Sequence, residues 1–193
     1  AIRNVGTEAM SQLVAEREAN GEFADVTDFL KRLPQAVANK KQMENLIRAG
    51  ALDSLHGNRR ELLENVEAIL AFAETVRQDA QSSQDSLFSG DDALDKTVHM
   101  QPFEDWSGMD RLREEFESLG LYLSAHPLDG YVGRLDKLKV ITANDLAAMI
   151  ESRNLKPRVN LAGSVSAKQV RISQRGNKFA FVQFTDQTLS LIH

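Results

Sequence analysis

The sequence predicts a mainly α protein with a β part at its C-terminal end. Apolar residues recur at helical spacing through roughly the first eighty positions, then alternate as in a strand from Pro157 onward. Between these regions, from about Asp79 to Asp105, neither period holds, and the segment is expected to be a flexible linker. With 193 residues, 42% hydrophobic and 26% charged, the chain can form one medium domain or two to three small ones.

Element by element, Met10, Leu13 and Val14 mark a first helix from Thr7 to about Asn20, ending at Gly21. A short second helix, Asp25 to Leu33, carries Val26, Phe29 and Leu30 on one face, with Pro34 beyond its end. Asn39 is a cap residue for a third helix bearing Met43, Leu46 and Ile47, which stops at Ala49-Gly50-Ala51. A long helix follows from near Asn58, with Leu62, Val66, Ile69, Leu70, Ala73 and Val76 in one stripe. After the linker, Ser107 caps a helix whose Met109, Leu112, Phe116 and Leu119 are expected to face inward. Short helical turns follow Pro127 and Thr142. Val159, Leu161, Gly163 and Val165 share one parity, and Gln174-Arg175-Gly176-Asn177 provides hairpin chemistry before Phe179 and Phe181. These strands make an incomplete antiparallel sheet.

Charge is segregated. Residues 31–60 hold seven basic and two acidic groups, and residues 131–193 hold ten and four. Residues 61–130 instead hold four basic and sixteen acidic groups, so sub-domains with different partners are expected. With no cysteine, disulfides, thiolate metal sites and a cysteine nucleophile are excluded, and a reducing cytoplasm is the expected setting. No apolar run is long enough to span a membrane. The chain opens at Ala1 and stops at Leu191-Ile192-His193 without a closing element, so it is read as a piece of a longer protein.

Leu46-Ile47-Arg48-Ala49-Gly50-Ala51-Leu52-Asp53 has the layout of a helix-hairpin-helix, whose backbone N–H groups can face a phosphate. Ile2-Arg3-Asn4-Val5-Gly6-Thr7 reads as a second copy of the hairpin. Val5, Gly6, Lys40, Lys41, Arg48, Gly50, Arg59 and Arg60 are therefore the candidate phosphate contacts of a nucleic acid. An ordinary helical hairpin with a C-capping glycine is the structural alternative. Lys168, Arg171, Arg175 and Lys178, beside Phe179 and Phe181, form a weaker candidate surface for single-stranded DNA. His56, His99, His126 and His193 lie far apart, without metal-ligand spacing, and His126-Pro127 reads as a structural turn. There is no Walker pattern, no GxSxG and no carboxylate pair placed for two magnesium ions, so no catalytic residue and no metal ligand is assigned.

Gln84-Asp85-Ser86-Leu87-Phe88, inside the expected linker, is similar to the sliding-clamp-binding peptides of bacterial replication proteins. The whole chain resembles the C-terminal part of the alpha (catalytic) subunits of bacterial DNA polymerase III, the C-family replicative DNA polymerases. The resemblance rests on Ile2-Arg3-Asn4-Val5-Gly6, Asp28-Phe29, Leu46 to Asp53, Asn58-Arg59 and the specific run Leu121-Tyr122-Leu123-Ser124-Ala125-His126-Pro127-Leu128-Asp129. Arg175-Gly176 with Lys178 and Ala180-Phe181-Val182 adds the opening of an OB fold. The sequence departs at Ala125, where glycine is usual, and at Thr188-Leu189-Ser190, which lacks an expected glycine.

The resemblance implies four parts: a tandem helix-hairpin-helix domain over 1–78, a flexible linker with the clamp peptide over 79–105, a helical connector over 106–156, and the first strands of a truncated OB-type barrel over 157–193. It implies a DNA-binding and clamp-tethering role in a parent that performs template-directed DNA synthesis as a nucleotidyltransferase. The parent would use Mg and deoxynucleoside triphosphates at residues upstream, with no cofactor in this segment. Implied partners are duplex DNA, single-stranded template, the sliding clamp (beta subunit) and other holoenzyme subunits, with no membrane. The helix-hairpin-helix module of a DNA repair enzyme, or a helical protein–protein adaptor, are the competing readings.

Overall fold

A computed structural model describes residues 2–85, 97–154, 157–188 and 191–192, with backbone alone for 82–85 and 191–192. Two compact units are present, Ala1–Leu119 and Gly120–His193.

The first unit is helical: α1 (Thr7–Asn20), α2 (Val26–Lys31), α3 (Lys40–Arg48), α4 (Arg59–Glu64), α5 (Val66–Asp85) and α6 (Gly108–Leu119). Local capping explains most of the starts. Asp25 accepts from the Asp28 amide at 2.8 Å, while the Asp28 carboxylate accepts from the Ala24 amide at 3.0 Å. Asn39 accepts from the amides of Lys41 and Gln42, and Asn58 accepts from that of Glu61. The apolar stripes converge on one core built from Val26, Phe29, Leu30, Val37, Met43, Ile47, Leu62 and Ile69 among others. Arg32 closes the loop before α2, donating to Glu16, Asp28 and the Gly21 carbonyl while lying over the Phe23 ring at 4.4 Å.

Several expectations need correction. The long helix from Asn58 is interrupted at Asn65, which stands between α4 and α5 with its side-chain amide turned to main-chain groups of Glu61 and Gln101. At its far end α5 runs on through Asp85, because Gln81-Ser82-Ser83-Gln84 contains no glycine or proline to stop it. The second half of the expected linker, 97–105, is docked as an irregular strap on the helical unit, with Val98 and Met100 against the core. Helix α6, the start of the expected connector, belongs to this same unit and packs on α3. Its buried positions are Leu112, Glu115 and Ser118, while Phe116 and Leu119 are half-buried and Met109 is exposed.

The second unit contains a 3-10 turn (Asp129–Tyr131), α7 (Val132–Lys137), α8 (Ala143–Glu151), β1 (Ser164–Ile172), β2 (Lys178–Thr185) and β3 (Leu191–Ile192). The strands form an antiparallel sheet in the order β1-β2-β3. The turn at 173–177 forms as its residues demand: Gly176 takes φ +79°, and the Ser173 amide donates to the Asn177 carbonyl at 2.8 Å. Strand pairing starts later than the alternation suggests, at Ser164, because Asn160 makes a parallel bridge to Val140 and its side chain donates to the Leu138 carbonyl. At Gly163 a side chain would collide with the Phe184 ring, 2.2 Å away. His126 ties the preceding segment to the sheet. Its Nδ1 accepts from the Leu128 amide, which leaves Nε2–H to face the Thr185 hydroxyl at 3.2 Å.

Candidate nucleic-acid interface

Two hairpins carry the candidate contacts. The first, residues 2–7, is anchored where the Arg3 amide donates to the Ser118 carbonyl at 2.9 Å, and Asn4 adopts a left-handed φ of 57°. Ile2 and Val5 pack on the core, and the chain then enters α1 at Gly6. No side chain caps α1, and nothing lies within 4 Å of where a Gly6 side chain would stand. The first-turn amides of α1 therefore border an unobstructed backbone.

The second hairpin, residues 49–58, begins with a Schellman turn: the Gly50 amide donates to the Ile47 carbonyl and the Ala51 amide to the Leu46 carbonyl, each at 3.0 Å. Gly50 has φ +77°, and its missing side chain leaves room for a guanidinium. A Cβ there would lie 2.0 Å from Nη2 of Arg59. Arg59 is 4% exposed. It binds Asp53 through two parallel bonds of 2.8 and 2.7 Å and donates to the Glu115 carboxylate and the Arg48 carbonyl. Arg111 adds a bond of 2.8 Å to the same Asp53. Burial pushes the Asp53 carboxyl up, but Arg59 and Arg111 outweigh it and hold the group below its ordinary value. Burial likewise disfavours the charged Arg59, and its two carboxylates more than restore it.

Gly50 and Arg59, expected as phosphate contacts, are both engaged within the protein in this geometry. The glycine seats a buried arginine, and that arginine is consumed by protein carboxylates. Arg48 is also engaged, with Nε 3.1 Å from Glu114. The other candidates stand at helix starts: Val5 and Gly6 before α1, Lys40 and Lys41 at the head of α3, Arg60 at the head of α4. Lys40 forms an exposed pair with Glu67 at 2.5 Å, which raises the lysine and lowers the glutamate. Arg60 donates to the Glu104 carbonyl at 3.3 Å and lies 3.9 Å from Glu64. Lys41 is exposed and has no ion-pair partner among the described residues.

Of the clamp peptide, Gln84 and Asp85 end α5 with their side chains outside the description, and Ser86, Leu87 and Phe88 lie outside the described residues. In the sheet, the four basic residues do not gather. Arg171 opposes Phe179 and lies 5.7 Å from the Phe181 ring, on a face where the two phenylalanines meet edge-on. Lys168 and Lys178 have the opposite parity, and Arg175 sits in the turn. Among the described residues, no three His, Asp or Glu side chains converge as a metal site requires. None of the described helices is long and apolar enough to cross a membrane.

Asp53, Asp105, Arg111 and Glu115, which organise the second hairpin, carry no assigned role in the sequence reading. One local signal was present: Glu115 falls at three-residue spacing between Leu112 and Ser118, on the buried face of α6.

A helix-hairpin-helix family model matches residues 1–62. The chain is similar to the DNA polymerase III alpha subunit of Caulobacter vibrioides, 39% identical over 188 residues, covering 97% of this chain and 16% of the relative. It is similar to the same subunit of Rickettsia prowazekii, 36% identical over 177 residues (91% and 15%), and of Thermus aquaticus, 35% identical over 194 residues (99% and 15%). The chain thus spans about one sixth of the length of the curated relatives it matches.

Proposed function

We propose that this chain, which belongs over the segment it spans to the family of DNA polymerase III alpha subunits, is a non-catalytic DNA-holding and clamp-tethering part of a replicative polymerase. The parent would carry out template-directed synthesis with Mg and deoxynucleoside triphosphates in the cytoplasm.

The observation that carries the reading is the coincidence of the helix-hairpin-helix match with an uncapped, unobstructed hairpin at Val5-Gly6. Main-chain amides there, with Lys40, Lys41 and Arg60, would hold duplex DNA by its phosphates, without reading sequence. The peptide Gln84–Phe88 would engage the sliding clamp and keep its local concentration high between nucleotide additions. The Phe179–Phe181 face with Arg171 would meet single-stranded template if the sheet completes an OB-type barrel.

The test is fluorescence anisotropy of a labelled duplex, titrated with the chain at several salt concentrations. Binding that weakens steeply with salt is expected, and the double variant Lys40→Glu, Lys41→Glu should flatten the log–log slope by about two. Absence of salt-dependent duplex binding overturns the DNA-holding role. For the clamp, Leu87→Ala with Phe88→Ala should abolish binding to purified clamp in calorimetry while duplex affinity stays as it was. Unchanged clamp affinity removes the tether.

A further inference from the structure

The strap, residues 97–106, is bound to the helical unit in an unusual manner. Its main chain joins neither helix nor sheet and is held by side chains. Asn65 spans Gln101 with two bonds of 2.8 Å, donating to its carbonyl and accepting from its amide. Asn58 donates to the Phe103 carbonyl at 2.7 Å, and the Glu61 carboxylate accepts from the Phe103 amide at 3.5 Å. All of these are bonds that water can replace at modest cost. The strap's acidic end reaches the second hairpin. The Asp105 carboxylate accepts from Arg111 at 3.3 Å and from the Arg60 amide at 3.4 Å, while the Glu104 carbonyl accepts from the Arg60 guanidinium. Arg111 also donates to the Gly57 carbonyl, within the hairpin itself.

We propose that this strap is a releasable latch on the second hairpin, which competes with duplex DNA for Arg60. The proposal rests on the duplex-binding reading above. A carboxylate and a phosphodiester offer a guanidinium the same charge-assisted acceptors. While the strap is down, the Glu104 carbonyl takes a bond from the Arg60 guanidinium, and Asp105 holds the strap there through Arg111 and the Arg60 amide. When it lifts, Arg60 becomes available to phosphate, while Arg111 loses Asp105 but keeps Asp53, and Arg59 stays locked in its buried pairs. Because linkage is reciprocal, whatever fraction of molecules has the strap closed lowers the apparent affinity for duplex, and duplex in turn opens the strap.

The experiment uses the full chain and a duplex of arbitrary sequence. Hydrogen exchange at the Gln101 and Phe103 amides is followed with and without duplex, and duplex affinity is measured for Asp105→Asn and for Glu104→Gln. Both variants remove one negative charge, but only the first weakens the latch. Duplex should speed exchange at both amides, and Asp105→Asn should bind about two- to fivefold more tightly than Glu104→Gln, the range a part-exposed ion pair supports. If wild type binds duplex while both amides stay protected and the two variants bind alike, the latch is overturned and the duplex-binding reading stands. If wild type binds no duplex at about 50 mM salt, that reading falls and takes the latch with it.

Discussion

At Gly6 the space a side chain would take is empty, and α1 beyond it buries only Ala9. At Gly50 the same space holds the Arg59 guanidinium, and the hairpin is bound through Asp53, Glu115 and Arg111 to α6. One backbone plan thus serves two ends. The first hairpin is lightly packed and outward-facing, and a cleft of about 530 Å³, lined by Met10, Leu13, Phe23 and Leu52 among others, underlies its helix. The second is an internal joint. A glycine-centred hairpin is by itself neither a phosphate site nor a structural turn. The neighbour of the glycine decides which it is.

The sharpest way to break this contrast is Arg59→Ala. It takes the Arg59 guanidinium away from the buried Glu115 and leaves Asp53 with Arg111 as its cation, and loss of one partner from a buried pair costs about 3 kcal/mol or more. Urea denaturation followed by a probe in the helical unit should show that loss, and a change under about 1 kcal/mol would mean the joint is not what holds the second hairpin.

Next in size is the glycine pair. Gly50→Ala places a Cβ against Arg59 at a positive φ, so a stability loss of about 2 kcal/mol or more is expected, with duplex affinity per folded molecule little changed. Gly6→Ala meets no atom and has φ −75°, so its stability cost should be about 0.5–1 kcal/mol, the difference between glycine and alanine as cap residues. Its effect should appear instead in duplex binding, through closer approach being blocked. Equal stability losses at the two glycines would erase the distinction.

The legible parts of the fold are those decided within a few residues. The caps at Asp25, Asn39, Asn58 and Thr142, and the turn at 173–177, form where their side chains dictate. The core stripe through Leu62, Val66, Ile69 and Ala73 is buried as its spacing requires. What local pattern could not reveal are partnerships across sequence: Asn65 with Gln101, Asn58 with Phe103, Arg59 with Glu115. Residues 97–105 have no period because they satisfy no repeating ladder. Their main chain is completed by amide side chains 36 to 45 residues earlier. Distance also hides the hold of Glu115 on Arg59, 56 residues apart, although Asp53, six residues before Arg59, lies within the hairpin itself.

The smallest predicted effect compares the two units under acid. In the second unit, burial holds His126 below its ordinary value of 6.5, against the opposing pull of Asp129 and Asp186. Its Nδ1 accepts the Leu128 amide, so protonation there removes that bond and sets two donors where one was accommodated. The folded state thus prefers the neutral ring. That stability is fully present above pH 6.5 and is lost as pH falls through the folded value, since the unfolded chain binds the proton first. In the first unit, Asp53 and Glu16 are held below their ordinary values, 3.8 and 4.5, so their contribution survives until pH falls into and below that range. Amides near Thr185 should therefore lose their protection against exchange at a higher pH than amides in α3. His126→Gln should flatten the first transition and leave the second in place. Coincident transitions in wild type would show that the two units do not respond to acid separately.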